Sequence, residues 1–349
     1  MTVIYFSDGY KGGAATYLEQ NILFNIKKKE KVILFDRAPN KTYINLKKNK
    51  LLKVYKLDII KDRNKVKKIL NNIKNIDTPY FFFTNYIILI YYYLFLKRFN
   101  SGISKITITL HSGVFNYNLK IIIALLIFSL LALKIDKLIF GSFSSKRWWL
   151  NLFPWMKIIR NKVIFNGVET KYKKTKKTRA IYNISFIGRM ETENDPKLFF
   201  DIAVSNKNLS YLKFNIFGDG SYKKIIQKKK SNITFWGWAK QKIIYDNTDI
   251  VIITSPLNNF PYVALESQSY GIPVITAAVG DIRKIIKHNY NGFLLQDREV
   301  DTFTKSIKQV IKNYNKLSNN SFNNAKNYNM DNSCRKVWRF IKIENNNFR

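Results

Sequence analysis

Short apolar runs, rich in β-branched and aromatic residues, alternate along most of the chain with longer amphipathic stretches. Runs of this kind bounded by Gly, Pro, Asn or Asp predict strands, because such side chains pack well on a pleated surface while the bounding residues favour turns. A first set falls at 2–6, 31–35, 52–56, 80–84, 105–110 and 138–140. A second set falls at 182–187, 212–217, 233–236, 251–254, 274–277 and 292–295. Strands that alternate with helical stretches predict βαβ units and parallel sheets. Between the sets, ETKYKKTKKTR (169–179) is polar and basic without apolar periodicity, and reads as a linker. From about 300 to 348 the pattern is helical, with a break expected at the Asn-rich 319–324.

Two apolar stretches raise the question of a membrane. YFFFTNYIILIYYYLFL (80–96) is interrupted by Thr84 and Asn85, and 121–133 is broken only by Ser129. The second is well short of the roughly 20 residues a span needs. Both fall where a Rossmann-like half places a strand or helix, so core elements are expected rather than transmembrane helices. Lys97, Arg98, Lys134 and Lys137 flank them, which leaves docking on an anionic surface open.

Composition adds a second constraint. The 349 residues suffice for two domains, and 46% hydrophobic residues exclude wholesale disorder. A single cysteine, Cys334, rules out an internal disulfide and fits a reducing compartment. No secretory signal is expected, since 2–6 reads as a strand with no basic region before it. Lys and Arg number 60 against 23 Asp and Glu, a net charge of +37. A positive field of that size favours polyanions, whether nucleic acid, an anionic bilayer or a phosphorylated lipid. The alternative is a solvated surface enriched in lysine.

The segment DIVIITSPLNNFPYVALESQSYGIPVITAAVG (249–280) carries the most chemistry. It reads as a strand, a polar loop after Pro256, a helix opened by Pro261 and carrying Glu266, and a second strand released by Gly271 and Pro273. Open α/β sheets bind phosphorylated ligands at such a strand end, where helical N–H groups point at the ligand. Asn259, Phe260, Pro261, Glu266, Gly271, Pro273, Val274 and Ile275 resemble the ENFPxxxxEAxxxGxPVI signature of retaining GT-B glycosyltransferases of the family-4 type. Asn258 stands where that signature has its first Glu.

Smaller motifs extend the resemblance over most of the chain. Gly12-Gly13-Ala14 follows the first strand and precedes a helix, as a loop approaching a phosphate or sugar would. No G-x-G-x-x-G occurs, which argues against a nicotinamide or flavin enzyme. His111 ends the run ITITL; a lone histidine is ordinarily a satisfied polar residue, but the family similarly places a His at this strand end, against the donor sugar. Asn166-Gly167-Val168-Glu169 resembles the NGVD hinge, and Phe217-Gly218-Asp219-Gly220 a family turn. Phe235-Trp236-Gly237-Trp238 resembles the strand and glycine beside the nucleobase. Gly188-Arg189 resembles the family's GR motif, in which an Arg and a Lys clamp the diphosphate; the Lys position is Asn194, with Lys197 one helical turn on. Lys284 replaces the Glu that closes the family's GGxPE loop.

The resemblance implies an α/β GT-B architecture of two Rossmann-like domains facing across a cleft. Residues 1–168 would form the acceptor-side domain, 169–180 a linker, 181–328 the nucleotide-sugar-binding domain, and 329–349 a helix crossing back to the first domain. It implies a metal-independent hexosyltransferase, since no D-x-D pair supplies metal ligands. The donor would be a UDP-sugar as substrate, with no cofactor. His111, Arg189, Lys197 and Asn258 would serve catalysis. Gly12, Gly13, Arg189, Lys197, Asn259, Phe260, Pro261 and Glu266 would hold the donor, Glu266 taking the ribose hydroxyls. The acceptor implied is a lipid-linked glycan of bacterial surface polysaccharide such as O-antigen or capsule, met peripherally at the cytoplasmic face of the plasma membrane. The departures at 194, 258 and 284 leave open a degenerate protein that binds a nucleotide sugar or a partner enzyme without turnover. A basic nucleic-acid-binding protein is a third reading, against which no helix-turn-helix, zinc or RNP-type signature appears.

Overall fold

The structure, a computed structural model, describes residues 2–7, 13–37, 49–73, 80–83, 86–96, 105–111, 118–171, 181–227, 233–256 and 260–342. Two compact units divide the chain: unit 1 comprises Met1–Phe165 and Asp331–Arg349, unit 2 comprises Asn166–Met330.

Unit 1 is built on a seven-stranded sheet of β1 (Thr2–Ser7), β2 (Lys31–Asp36), β3 (Leu52–Lys56), β4 (Tyr80–Phe83), β5 (Lys105–Leu110), β6 (Lys137–Phe140) and β7 (Arg160–Val163). Their order is β3-β2-β1-β4-β5-β6-β7, and every pairing is parallel. Parallel strands are covered on both faces by crossover helices, which is why β1 and β6 are buried along their whole length. Phe6 is stacked between Phe35 and Phe83, at centroid distances of 5.3 and 4.8 Å, so three adjacent strands share one aromatic ladder. The polar edge strand β7 is absent from the sequence reading, because Arg160, Asn161 and Lys162 carry no apolar alternation and β7 pairs only with β6.

Unit 2 is built on a six-stranded sheet of β8 (Tyr182–Ile187), β9 (Leu212–Phe217), β10 (Ile233–Gly237), β11 (Ile250–Ile253), β12 (Val274–Ala277) and β13 (Gly292–Leu295), ordered β10-β9-β8-β11-β12-β13. The expected strand at 251–254 begins and ends one residue earlier. Asp249 fixes that start: its N–H donates to the Asn183 carbonyl at 2.8 Å, and its carboxylate accepts the Asn183 N–H at 2.9 Å. The break expected at 319–324 is not present, and helix Tyr314–Ala325 runs straight through it. Tertiary partners outweigh the low helix propensity of asparagine there. Asn324 Nδ2 donates to Gln268 Oε1 at 2.7 Å and to the Ile285 carbonyl at 3.0 Å, and Asn320 donates to the Tyr290 carbonyl. The chain turns instead at Lys326–Tyr328.

The two apolar stretches form helices of unit 1. Residues 80–96 are β4 and helix Tyr86–Tyr91, continued by a wider turn through Tyr92–Leu96. Helix Leu119–Ala132 starts where the Asn118 side chain accepts the Ile121 N–H at 2.9 Å. It buries Leu125, Phe128, Ser129 and Ala132 and leaves its other side exposed, so only half of it is a core element. Among the described residues no helix is long and apolar enough to cross a membrane.

The final helix, Met330–Lys342, places residues 331–342 on unit 1. Lys137 Nζ donates to the Ile341 carbonyl at 2.6 Å, Lys342 pairs with Glu30 at 3.0 Å, and Ser333 donates to the Phe165 carbonyl. Cys334, Val337, Phe340 and Ile341 supply its buried stripe.

Candidate functional site

In unit 2 the chain runs from β8 outward to β10, then returns to the other side of β8 with β11 and continues outward to β13. The strand order therefore reverses between β8 and β11. Loops leaving two such strands diverge, and the crevice outside their carboxyl ends is where open α/β sheets bind ligands.

The residues after β8 and β11 are tied together there. Gly188 and Arg189 follow β8, and a short turn, Thr192–Asn194, leads to helix Pro196–Ser205. Thr254 Oγ donates to the Asn194 carbonyl at 2.8 Å and Ser255 Oγ to the Glu193 carbonyl at 2.6 Å. The loop after β9 is locked to the same place. A Cβ built on Gly218 would lie 1.8 Å from the Gly188 carbonyl oxygen, and Gly218 holds φ +142°, so only glycine lets these two loops touch. Ser221 donates twice to the Glu191 carboxylate, which is thereby held below its ordinary pKa.

Arg189 forms an ion pair with Glu193 at 2.7 Å, and Lys197 pairs with Asp201 at 2.7 Å toward the carboxyl end of its helix. Both pairs are solvent-exposed and contribute little, so a diphosphate can displace either carboxylate at small cost. Asn194 spends its amide on the Arg189 carbonyl at 2.9 Å, bracing the loop.

Helix Tyr262–Ser269 follows β11, with Pro261 as its N-cap, a side chain that offers no hydrogen-bond acceptor. Phe260 is buried against Tyr328, centroids 5.6 Å apart, and its carbonyl accepts from Asn166. Glu266, one turn into the helix, is partly buried. Burial raises the pKa of its carboxyl, against hydrogen bonds from Tyr245 and Gln241 and the charge of Lys171. Tyr245 OH donates to Oε2 at 2.9 Å, and the Tyr245 ring stacks on Tyr270 at 4.6 Å. At the end of β10, Trp236 stacks on Phe217 at 5.4 Å and Nε1 donates to Asn215, while Trp238 is exposed.

Two contributors carry no sequence signal. Tyr245 sits in an unremarked KIIYD helix. Arg298, after β13, donates to the Asp195 carboxylate and to the Thr254 carbonyl at 2.9 Å, adding a cation behind the β8–β11 loops.

Unit 1 places His111 at the carboxyl end of β5. Its ring meets Tyr17 edge-on at 4.5 Å, and the absence of a side chain at Gly141 makes room for Nδ1. Nε2 is buried without a hydrogen-bond partner among the described residues. Burial pulls the imidazole pKa down to about 4, so the ring is neutral at physiological pH. Gly13 opens helix Gly13–Lys27. Gly12, Asn258 and Asn259 lie outside the described residues, as does most of the expected linker.

Comparison with known proteins finds a family match inside unit 2 and a fold likeness over nearly the whole chain. Residues 169–328 match the family "Glycosyl transferases group 1". A 41.2 kDa protein in the cps region of Klebsiella pneumoniae is 27% identical over 149 residues, covering 40% of this chain and 41% of that protein. The UDP-Gal:alpha-D-GlcNAc-diphosphoundecaprenol alpha-1,3-galactosyltransferase of Escherichia coli is 25% identical over 144 residues, 38% of this chain and 37% of that enzyme. The matched stretch thus spans less than half of each relative. Among solved structures, Anabaena HepE with UDP-glucose superposes with a TM-score of 0.78 at 15% identity, covering 98% of this chain and 99% of that one. At that identity the likeness establishes the GT-B fold.

Proposed function

We propose, for a chain whose residues 169–328 match the glycosyl transferases group 1 family, a retaining transfer of a hexosyl group from a UDP-sugar to a lipid-linked glycan acceptor. The observation that carries the reading is the β8–β11 strand reversal, which has Arg189 on one loop and the amino-terminal start of the Glu266 helix on the other. Breaking the sugar–diphosphate bond leaves negative charge on the departing diphosphate. Arg189, released from Glu193, and the N–H groups of helix Tyr262–Ser269 would offset that charge where it develops. Lys197 is a second candidate cation, once freed from Asp201. Glu266 would accept hydrogen bonds from both ribose hydroxyls, with Tyr245 fixing its orientation. Stacked Trp236 offers a flat apolar surface for the base. His111 and Asn258 are assigned to the sugar, with the acceptor attacking from the leaving-group side so that configuration is retained.

The lipid-linked acceptor and a place at the inner face of the plasma membrane, in capsule or O-antigen assembly, draw support from the names of the cps-region and diphosphoundecaprenol relatives and from the +37 charge. A second reading, donor binding without turnover, is favoured by Asn194 in place of a lysine, its amide spent on the Arg189 carbonyl.

The test is nucleoside diphosphate release from a panel of UDP-, GDP- and ADP-sugars with membrane lipid extract. Release from a UDP-sugar that collapses in Glu266→Ala and Arg189→Ala supports the transferase. Tight binding without release supports the second reading, and no binding of any donor overturns the site.

A further inference from the structure

Helix Leu119–Ala132 is apolar around its whole circumference, yet only one side is buried. Leu119, Ile123, Leu126, Leu130 and Leu133 recur at spacings of four and three and so form one stripe, opposite Leu125, Phe128 and Ala132. Every member of the stripe is exposed, Leu119 by 73% and Leu130 by 61%. With Ile122 beside them, these side chains present on the order of 500 Å² of apolar surface, which matches the largest patch an ordinary soluble monomer carries. An apolar helix flank without a protein cover is costly in water, so it marks a surface that another phase or partner covers.

A partly exposed indole flanks the helix. Trp155 Nε1 donates to the Ser129 carbonyl at 3.3 Å, which seats the indole beside the helix, and the neighbouring Ile158 is 80% exposed. The charge in this segment is one-sided. Lys120 lies in the first turn of the helix, Lys134 just past its end and Lys157 between Trp155 and Ile158 in sequence, all exposed, whereas the one carboxylate from 119 to 162, Asp136, is spent on the Ile106 N–H at 2.7 Å. Apolar side chains with a tryptophan and a cationic surround match an anionic bilayer, in which the stripe enters the acyl boundary and the ammonium groups meet lipid phosphates. The helix is too short to span, so it lies in the interface plane.

We infer that the outer face of helix Leu119–Ala132, with Trp155 and Ile158, is the surface by which unit 1 docks on an anionic lipid bilayer. This deepens the membrane-surface part of the functional reading and rests on it. Vesicle binding needs neither donor nor turnover, so failure of one is distinguishable from failure of the other.

The experiment is flotation of the full chain with phosphatidylcholine vesicles, with and without phosphatidylglycerol, alongside an Ile123→Glu/Leu130→Glu variant. Wild type is expected to float with the anionic vesicles and to keep residual binding at high salt. The variant is expected to lower its partition at least about tenfold, since two inserted side chains are replaced by charges. Ile123→Ser/Leu130→Ser, a milder change at exposed positions, should give a smaller loss in the same direction. Ile225→Glu, equally exposed in unit 2, should float as wild type does. Absence of wild-type flotation, flotation unchanged in both double variants, or an equal loss in Ile225→Glu overturns the proposal. A wild-type dimer split by the substitution, with flotation unchanged, assigns the face to a second copy of the chain instead.

Discussion

Replacing His111 by Gln tests the interior of unit 1 through its dependence on pH. Burial lowers the imidazole pKa to about 4, from about 6.5 in an unfolded chain. Below 6.5 the unfolded chain therefore takes up a proton that the folded one refuses, so stability falls as pH drops from 6.5 toward 4 and is fully present above that window. The two-state linkage expression gives a loss of about 2 kcal/mol between pH 7 and pH 5 from this group alone. With a urea slope of about 2–3 kcal/mol per molar, the midpoint of unit 1 should move by roughly 0.7–1 M. Carboxylates such as Glu30, held down by Lys342 against the opposing cost of burial, lose stability in the same direction at lower pH. The informative quantity is thus the difference between wild type and His111→Gln, taken from urea titrations at both pH values. The variant should lack about 2 kcal/mol of the wild-type pH dependence. With only two histidines in the chain, His288→Gln also leaves a single imidazole NMR signal, which should not titrate above pH 5. Identical pH dependence in both proteins, or titration near 6.5, would refute a buried neutral imidazole.

Gly218→Ala forces its new methyl onto the Gly188 carbonyl oxygen, 1.8 Å away, at a positive φ; a loss of about 3 kcal/mol or more is expected in a thermal melt, and a neutral melt would contradict the loop contact. Tyr245→Phe removes the hydroxyl that Glu266 accepts at 2.9 Å, which should cost about 1 kcal/mol and raise the Glu266 pKa further. If the ionised carboxylate holds the ribose, UDP affinity measured by calorimetry should then begin to fall at a higher pH in the variant than in wild type. Cys334, on the buried stripe of the last helix with its thiol pushed up by burial to about 12, should react with a disulfide reagent only as fast as that helix leaves unit 1. Rapid stoichiometric labelling of the native protein would show the helix to be loosely held.

Local pattern carried most of the sheet. Twelve strands are readable from apolar runs because parallel strands are buried on both faces, where few residue types fit. The thirteenth, β7, is an edge strand whose Arg160-Asn161-Lys162 gives no such signal. The asparagines of 319–324 misled for a related reason: propensity describes an isolated helix, whereas Asn324 is held by Gln268 and Ile285, far away in sequence. In the candidate site, Arg189 and Glu266 are legible because each sits next to a turn or helix start with its own residue signature. Tyr245 and Arg298 are not, because their partners, Glu266 and Asp195, lie 21 and 103 residues away. Only the fold brings such pairs together.

The placement of residues 331–342 in unit 1 has a consequence for biosynthesis. Unit 2 is continuous in sequence, whereas unit 1 is interrupted by the whole of residues 166–330. On a ribosome adding about 5–20 residues per second, roughly ten to thirty seconds separate the last strand of the first sheet from the helix that completes it. Throughout that interval Lys137 is without its Ile341 acceptor and Glu30 without Lys342. The portion made first is therefore the portion finished last, and a nascent chain carries an unsealed amino-terminal core while the whole of unit 2 is made. Chaperone demand during translation should concentrate on that unsealed core.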